Sequence, residues 1–302
     1  MPSEVAPIAL FAFDRPSHLE QTLTALAENP QAQESDLTIF SDGPRSDADS
    51  PSVRQVREIA RAWTTKGAFH RVSIIERPEN LGLARSVIEG VTQILSESDT
   101  IIVLEDDLVV SPDFIRYMNE ALRLYQDESS VISIHGFTMN VGSVLPETFF
   151  LRGADCWGWA TWRRGWQVFE SDGQLLLDRL DDSGEVDDFD FGGNYPYRDM
   201  LERQVRGIVD SWAVRWHAAA FLAGKLTLYP GRSLVRNIGQ EGSGTHSMER
   251  ASHSVHENRF EFPVLKIDPV ESPEARRAFQ QALAGDREPR WRSMVRRLVT
   301  GR

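Results

Sequence analysis

An α/β fold, with a mixed and mainly parallel sheet flanked by helices, is predicted by three observations. Apolar runs alternate with amphipathic stretches in β-α-β-α order from residue 7 to about residue 136, the pattern of a parallel sheet covered by helices. The most polar short segments of this region fall at the carboxyl ends of the strands, where such sheets bind ligands. At 302 residues the chain is near the upper size of one hydrophobic core, so a single domain with a C-terminal extension is expected.

The first strand is read over Ile8 to Phe13 and delivers Asp14-Arg15. The second, Leu37 to Ser41, delivers Asp42-Gly43, and the third, Val72 to Glu76, leads to Asn80-Leu81-Gly82. The fourth, Ile101 to Glu105, ends in Glu105-Asp106-Asp107, and the fifth is Val131 to Ile134. Four strands therefore bring polar groups to one sheet edge, a fitting nucleotide pocket. Beyond residue 148 the alternation fades. Phe149 to Arg152 reads as a short strand, Trp157 to Phe169 as a helix, and the acid-rich Asp178 to Asp190 as a solvated loop. Helices follow over Tyr197 to Val205 and Ser211 to Ala223, the latter ended by Gly224. A strand over Lys225 to Tyr229 precedes the Gly-rich run Ile238 to His246, read as a loop.

The acidic triplet is the chemically loaded feature. Three carboxylates at a strand end repel one another and call for a cation. Strand alternation puts Glu105 and Asp107 on one side and Asp106 on the other. Oxygen-only ligation suits Mn²⁺ or Mg²⁺, the latter held by one or two carboxylates with substrate phosphates. The structural alternative is a solvated strand end, with Ser111 and Asp113 capping the helix that follows.

Composition narrows the function classes. A net charge of -12 argues against nucleic acid as a partner, which would need a basic face. The single cysteine, Cys156, forms no disulfide framework or cysteine zinc site. With no apolar segment of membrane-spanning length and no basic leader, the expected location is cytoplasmic, at most peripheral on the inner membrane face. No GxxxxGK[ST] accompanies the triplet, no GxGxxG follows the first strand, and Gly242-Ser243-Gly244 lacks GxSxG spacing, which disfavours a P-loop NTPase, a dinucleotide-binding domain and a serine hydrolase.

Ala12-Phe13-Asp14-Arg15-Pro16, Ser41-Asp42-Gly43, and Glu105-Asp106-Asp107 with Ser111-Pro112-Asp113-Phe114, in that order, resemble GT-A fold glycosyltransferases. Within these, the chain is most similar to N-acetylglucosaminyltransferase I and related bacterial sugar transferases. A weaker patch runs from Asp155-Cys156-Trp157-Gly158-Trp159 through Asp210-Ser211-Trp212 to Gly244-Thr245-His246. The resemblance implies metal-dependent transfer of a sugar from a nucleotide-diphosphate sugar, expected to be UDP-linked, to a glycan, lipid-linked or other hydroxyl acceptor, with inversion. It implies that Asp14, Arg15 and Asp42 hold the nucleotide, that Glu105 and Asp106 contact donor sugar and ribose, and that Asp107 ligates Mn²⁺; Asn80 joins the nucleotide candidates from its place at the same sheet edge, and Mg²⁺ is the alternative ion.

The family places its catalytic Asp directly before a Trp. Here Ser211 occupies that place, so Asp210, one residue earlier, is the candidate base, with an N-cap as the structural alternative. His246 is a second candidate metal ligand, set among glycines. Trp159, Trp162 and Trp166 recur at core-helix spacing, which leaves Trp157 and Trp212 as candidate acceptor-binding rings. Residues 1–136 are read as the nucleotide-sugar half, 137–265 as the acceptor and catalytic half, and 266–302 as a helical, basic tail. In the tail Trp291, Met294, Val295, Leu298 and Val299 form an apolar stripe among arginines, which fits peripheral contact with an anionic membrane or a helix docked on protein. The competing functional readings are a nucleotidyltransferase, for which the Gly-rich basic loop after the first strand is missing, and a non-catalytic carbohydrate-binding module.

Overall fold

The computed structural model describes residues 5–239 and 264–285. Strands β1 (Ile8–Ala12), β2 (Asp36–Ser41), β3 (Arg71–Glu76) and β4 (Thr100–Glu105) alternate with helices α1 (Pro16–Ala27), α2 (Ser50–Trp63) and α3 (Leu83–Glu97). The short β5 (Leu108–Val110) follows the acidic triplet, then α4 (Phe114–Leu124), β6 (Val131–His135), β7 (Thr148–Arg152) and β8 (Trp159–Trp162). The rest comprises α5 (Arg163–Trp166), α6 (Gly173–Ser183), α7 (Val186–Phe189), α8 (Tyr197–Val205), α9 (Trp212–Leu222), β9 (Leu226–Pro230), β10 (Val235–Asn237) and α10 (Pro273–Gly285).

Among the described residues eight strands form one sheet in the order β3-β2-β1-β4-β8-β6-β9-β7. The first four are parallel, β8 runs antiparallel between β4 and β6, and β7 closes the far edge antiparallel to β9. The predicted mixed, mainly parallel sheet is therefore found. Period-2 alternation sorts its side chains between two helical layers. Ile8, Leu10, Ile102 and Leu104 face α1, α2 and α4, whereas Ala9, Phe11, Ile101 and Val103 face α3 and α9. Both sheet faces are covered, as parallel sheets require. Among the described residues no helix is long and apolar enough to cross a membrane.

Two elements differ from the sequence reading. The stretch Trp157 to Phe169 is not one helix but β8 followed by the single turn α5. All four residues of β8 are buried, and β-branched Thr161 anchors it by donating from Oγ1 to the Ile132 carbonyl at 2.6 Å. Trp159 and Trp162 thus belong to opposite layers, and their helix-like spacing is a coincidence of a doubly buried strand. The acid-rich segment is α6 and α7 rather than a loop. Leu176, Leu177 and Leu180 supply a buried face, Asp172 caps the helix by accepting from the Leu175 N–H at 3.1 Å, and Asp181 pairs with Arg198 at 2.7 Å. The acids occupy the solvent face of an amphipathic helix.

The C-terminal helix α10 docks on its own domain, packing Ala275, Phe279 and Leu283 on Phe149, Leu151 and Tyr229. The apolar stripe Trp291 to Val299 lies outside the described residues. The tryptophans of the second layer converge on Trp159, whose ring centroid lies 5.5 to 5.8 Å from those of Trp166, Trp212 and Trp216. Trp159→Ala is expected to cost about 3–5 kcal/mol, the range for removing a large buried ring, read by urea unfolding; a loss under about 1 kcal/mol would show that this cluster is not the keystone of its layer.

Candidate active site

The site begins where strands end. Alternation along β4 continues as far as Glu105, which points into the α9 layer beside the Trp212 side chain, a neighbour that favours its charged form. There the chain turns, and Asp106 and Asp107 connect β4 to β5. Asp106 and Asp107 are therefore the two acids that share a partner, in place of the predicted common side for Glu105 and Asp107. Arg15, directly ahead of α1, bridges them, with Nη2 2.5 Å from Asp106 Oδ1 and Nη1 2.8 Å from Asp107 Oδ2. The Phe13 N–H donates to Asp106 Oδ2 at 3.3 Å, and Thr22 Oγ1 donates to the Asp106 carbonyl at 2.8 Å.

The electrostatics are unbalanced. Burial, reinforced by the charges of Asp107 and Asp106, pushes the Glu105 carboxyl up to about 8. Burial also raises Asp106, to about 7, although Arg15 opposes the shift. Asp107 Oδ1 is buried without a hydrogen-bond partner. One guanidinium thus faces three acids, one of which has an orphaned oxygen, and a hard cation is the group that such a donor set lacks. Among the described residues no three His, Cys, Asp or Glu side chains form a complete cage. A cation here would hence draw further ligands from a bound phosphate, water or another part of the chain, as Mg²⁺ commonly does.

The strand after the triplet holds the next segment against it. β5 pairs antiparallel with β10, and the Ile238 N–H donates to the Asp107 carbonyl at 2.8 Å. Gly239 then passes so close that a Cβ on it would lie 2.1 Å from Asp107 Oδ2 and 2.8 Å from Arg15 Nη1, so any larger residue would push the Arg15–Asp107 pair aside. His246 lies outside the described residues.

A cavity of about 330 Å³ opens at the same edge, and Asp14, Arg15, Asp42, Asn80, Glu105 and Asp106 all line it. The structure brings together every residue that the sequence nominated for the nucleotide. Asp42 itself is committed to backbone. Oδ1 accepts from the Gly43 and Leu81 N–H groups at 3.0 and 2.9 Å, and Oδ2 from Leu81 and Gly82 at 3.1 and 3.0 Å. Its carboxylate shapes the loop into α3 instead of presenting free oxygens. The Asn80 amide donates to the Gly43 carbonyl at 2.8 Å. Arg45, which the sequence reading passed over, stacks 4.7 Å from the Phe13 ring and reaches Asp14 Oδ2 at 3.3 Å; an arginine in a polar loop gives no sequence signal of its own.

Asp210 and Ser211 divide the roles left open by the sequence. Ser211 Oγ caps α9, accepting from the Val214 N–H at 3.3 Å. Asp210 is exposed, and its Oδ2 stands 3.3 Å from where a Cβ on Gly82 would sit. Gly82 has a φ of 74°, which favours glycine, and it also lines the nucleotide cavity. Trp212, at 2% exposure, is a core ring, not an open sugar platform. Trp157 is half-buried, meets Phe137 edge-on at 4.7 Å and lines a second cavity beside the triplet.

Residues 8–175, more than half of the chain, match the family model for glycosyl transferase family 2. The chain belongs to this family. It is a GT-A fold glycosyltransferase, and the matched residues run from β1 through the triplet and β8 into α6. No curated protein matches this glycosyltransferase. Among solved structures it is similar to the mannosyltransferase PcManGT from Pyrobaculum calidifontis in complex with GDP-Man and Mn²⁺, at 14% identity and a TM-score of 0.31 over 47% of this chain and 40% of that one. It is also similar to residues 1–349 of S. aureus TarS, at 10% identity and a TM-score of 0.35 over 58% and 49%. A third is the mannose-1-phosphate geranyltransferase from Thermus thermophilus, at 14% identity and a TM-score of 0.36 over 78% and 76%. The chain spans less than half the length of the first two.

Proposed function

We propose that this family 2 glycosyltransferase moves a hexosyl or N-acetylhexosaminyl group from a nucleotide-diphosphate sugar, UDP-linked, to an acceptor hydroxyl in one inverting step with Mn²⁺ or Mg²⁺. The observation that carries the reading is the triplet at the edge of the 330 Å³ cavity, where three acids meet one guanidinium and Asp107 Oδ1 has no partner. Asp107 holds the metal, with His246 as a second ligand. A metal held there would supply positive charge against the charge that grows on the leaving diphosphate.

The chain's own residues do the rest. Asp14, Arg15 and Asn80 hold the nucleotide, Asp42 fixes the loop that carries Asn80, and Glu105 and Asp106 orient ribose and donor sugar. Asp210 takes the proton of the acceptor hydroxyl as its oxygen bonds to the anomeric carbon and the bond to the diphosphate breaks. The donor half then corresponds to residues 1–136, the acceptor half to 137–265 and the tail to 266–302; of the tail, α10 packs on the far edge of the sheet.

Thermal shifts against a panel of nucleotide sugars, with and without Mn²⁺, test the reading. One nucleotide family should stabilise the protein in a Mn²⁺-dependent way, followed by release of free sugar and nucleoside diphosphate. Failure of every nucleotide sugar to shift the transition would refute it, and release of pyrophosphate would indicate nucleotidyl transfer instead.

A further inference from the structure

The second cavity, about 340 Å³, is walled by Phe137, Trp157, Tyr195, Tyr197 and Met200 and holds the carboxylate of Asp155. Two residues of its lining, Ser211 and Cys156, link it to the catalytic edge. Ser211, the neighbour of Asp210, lines it, and Cys156 senses the charges of Asp155, Glu105 and Asp107. Among the described residues no Lys or Arg lines this cavity. Burial pushes the Cys156 thiol and the Tyr195 and Tyr197 phenols up, and the His217 imidazole down, so all four stay uncharged near neutral pH. The wall's formal charge is that of Asp155 alone.

Asp155 is held in place. Its Oδ1 accepts from the Cys156 N–H at 2.8 Å. Behind it His135 is wholly buried. The Trp157 N–H donates to His135 Nε2 at 3.1 Å, which assigns the ring proton of the neutral imidazole to Nδ1. Among the described residues that Nδ1 makes no hydrogen bond; it lies 3.9 Å from Asp155 Oδ2, and burial favours the neutral ring against Asp155 and the Phe137 backbone, which both favour the protonated one. A buried donor aimed at a partly exposed carboxylate, beside an aromatic face, is an arrangement for reading hydroxyl groups.

We infer that this cavity seats the terminal unit of the acceptor, that Asp155 accepts hydrogen bonds from the hydroxyls of a neutral glycoside lying against Trp157, and that uronic acids and sugar phosphates are turned away. The inference rests on the transfer proposed above, because the cavity is assigned to the acceptor by its place beside Asp210 and the triplet. Its selectivity follows from charge: an anion entering here meets Asp155 and the triplet with no lining cation.

Saturation-transfer NMR on the full chain, with methyl pyranosides of glucose, galactose, mannose and N-acetylglucosamine against glucuronate and glucose 6-phosphate, tests it. At least one neutral glycoside should bind saturably, and its anionic counterparts should bind about tenfold more weakly or worse. Asp155→Asn should weaken the neutral glycoside about tenfold or more, while UDP with Mn²⁺ binds within about twofold of wild type, which also reports that the variant is folded. Should Asp155→Asn fail to fold, Met200→Lys, which adds a cation to the wall, should raise glucuronate affinity by a similar factor. Equal binding of neutral and anionic sugars, no saturable neutral glycoside, or an unchanged Asp155→Asn affinity overturns the inference. Loss of UDP binding with glycoside binding intact would instead strike the donor reading and leave the cavity standing.

Discussion

Asp107→Asn is expected to lower sugar transfer by about a hundred- to a thousandfold, the scale for removing one preorganised group that stabilises charge in the transition state. The substitution keeps shape and leaves Arg15 a neutral oxygen to bond, so the fold should survive. What it removes is the charge on the one acid with an orphaned buried oxygen. Mn²⁺ titrations should accordingly show loss of metal-dependent stabilisation, and unchanged Mn²⁺-dependent turnover would move the metal away from Asp107. A pH dependence belongs to the same site. Glu105 is raised to about 8 and Asp106 to about 7, so the folded, metal-free protein keeps protons that the unfolded chain has already released. Its stability therefore falls as pH climbs from the ordinary carboxylate range toward those values. A cation entering the site displaces these protons, so its binding tightens over the same interval. The thermal shift produced by Mn²⁺ should be larger at about pH 8.5 than at about pH 6; a shift that is flat or reversed between them would sever the link between the raised carboxyls and the metal.

Asp210→Asn is expected to cut kcat by about a hundred- to ten-thousandfold, the usual worth of a positioned general base, with little change in donor affinity. The split matters because Ser211, not Asp210, caps α9. A structural role would therefore appear in Ser211→Ala as about 1 kcal/mol of lost stability, and would leave Asp210→Asn harmless. If Asp210→Asn retained full turnover, the carboxylate over Gly82 would be a bystander and the base would have to be sought elsewhere.

Much of this site was legible because its residues sit at strand ends. Strand periodicity in β1 to β4 is strong, and knowing where the strands stop is enough to bring Asp14, Arg15, Asp42, Asn80, Glu105 and Asp106 to one cavity. Orientation was less legible. The sequence could not show that Asp42 spends its oxygens on the Gly43, Leu81 and Gly82 amides, since nothing local distinguishes a ligand-facing Asp from a loop-holding one. It also could not show where alternation stops, and the turn at Asp106 reassigns which acids share Arg15. In the second half the failures have one cause. β8 is buried on both faces, so its tryptophans obey no amphipathic pattern, and α6 hides three leucines among acids that mark its solvent side. Asp155 was in view as part of a motif, but the role proposed for it depends on His135, distant in sequence at the end of β6, whereas Asp155 lies in the loop between β7 and β8.

The placing of the Trp212 side chain beside Glu105 gives the protein a built-in optical and magnetic reporter. The indole N–H is a single spin beside the acid whose protonation the cation should change, and its ring is shielded from solvent. Its resonance, resolvable among eight tryptophans by substitution of Trp212 alone, would follow the charge state of the triplet directly, in the absence of any acceptor and without a label on the donor.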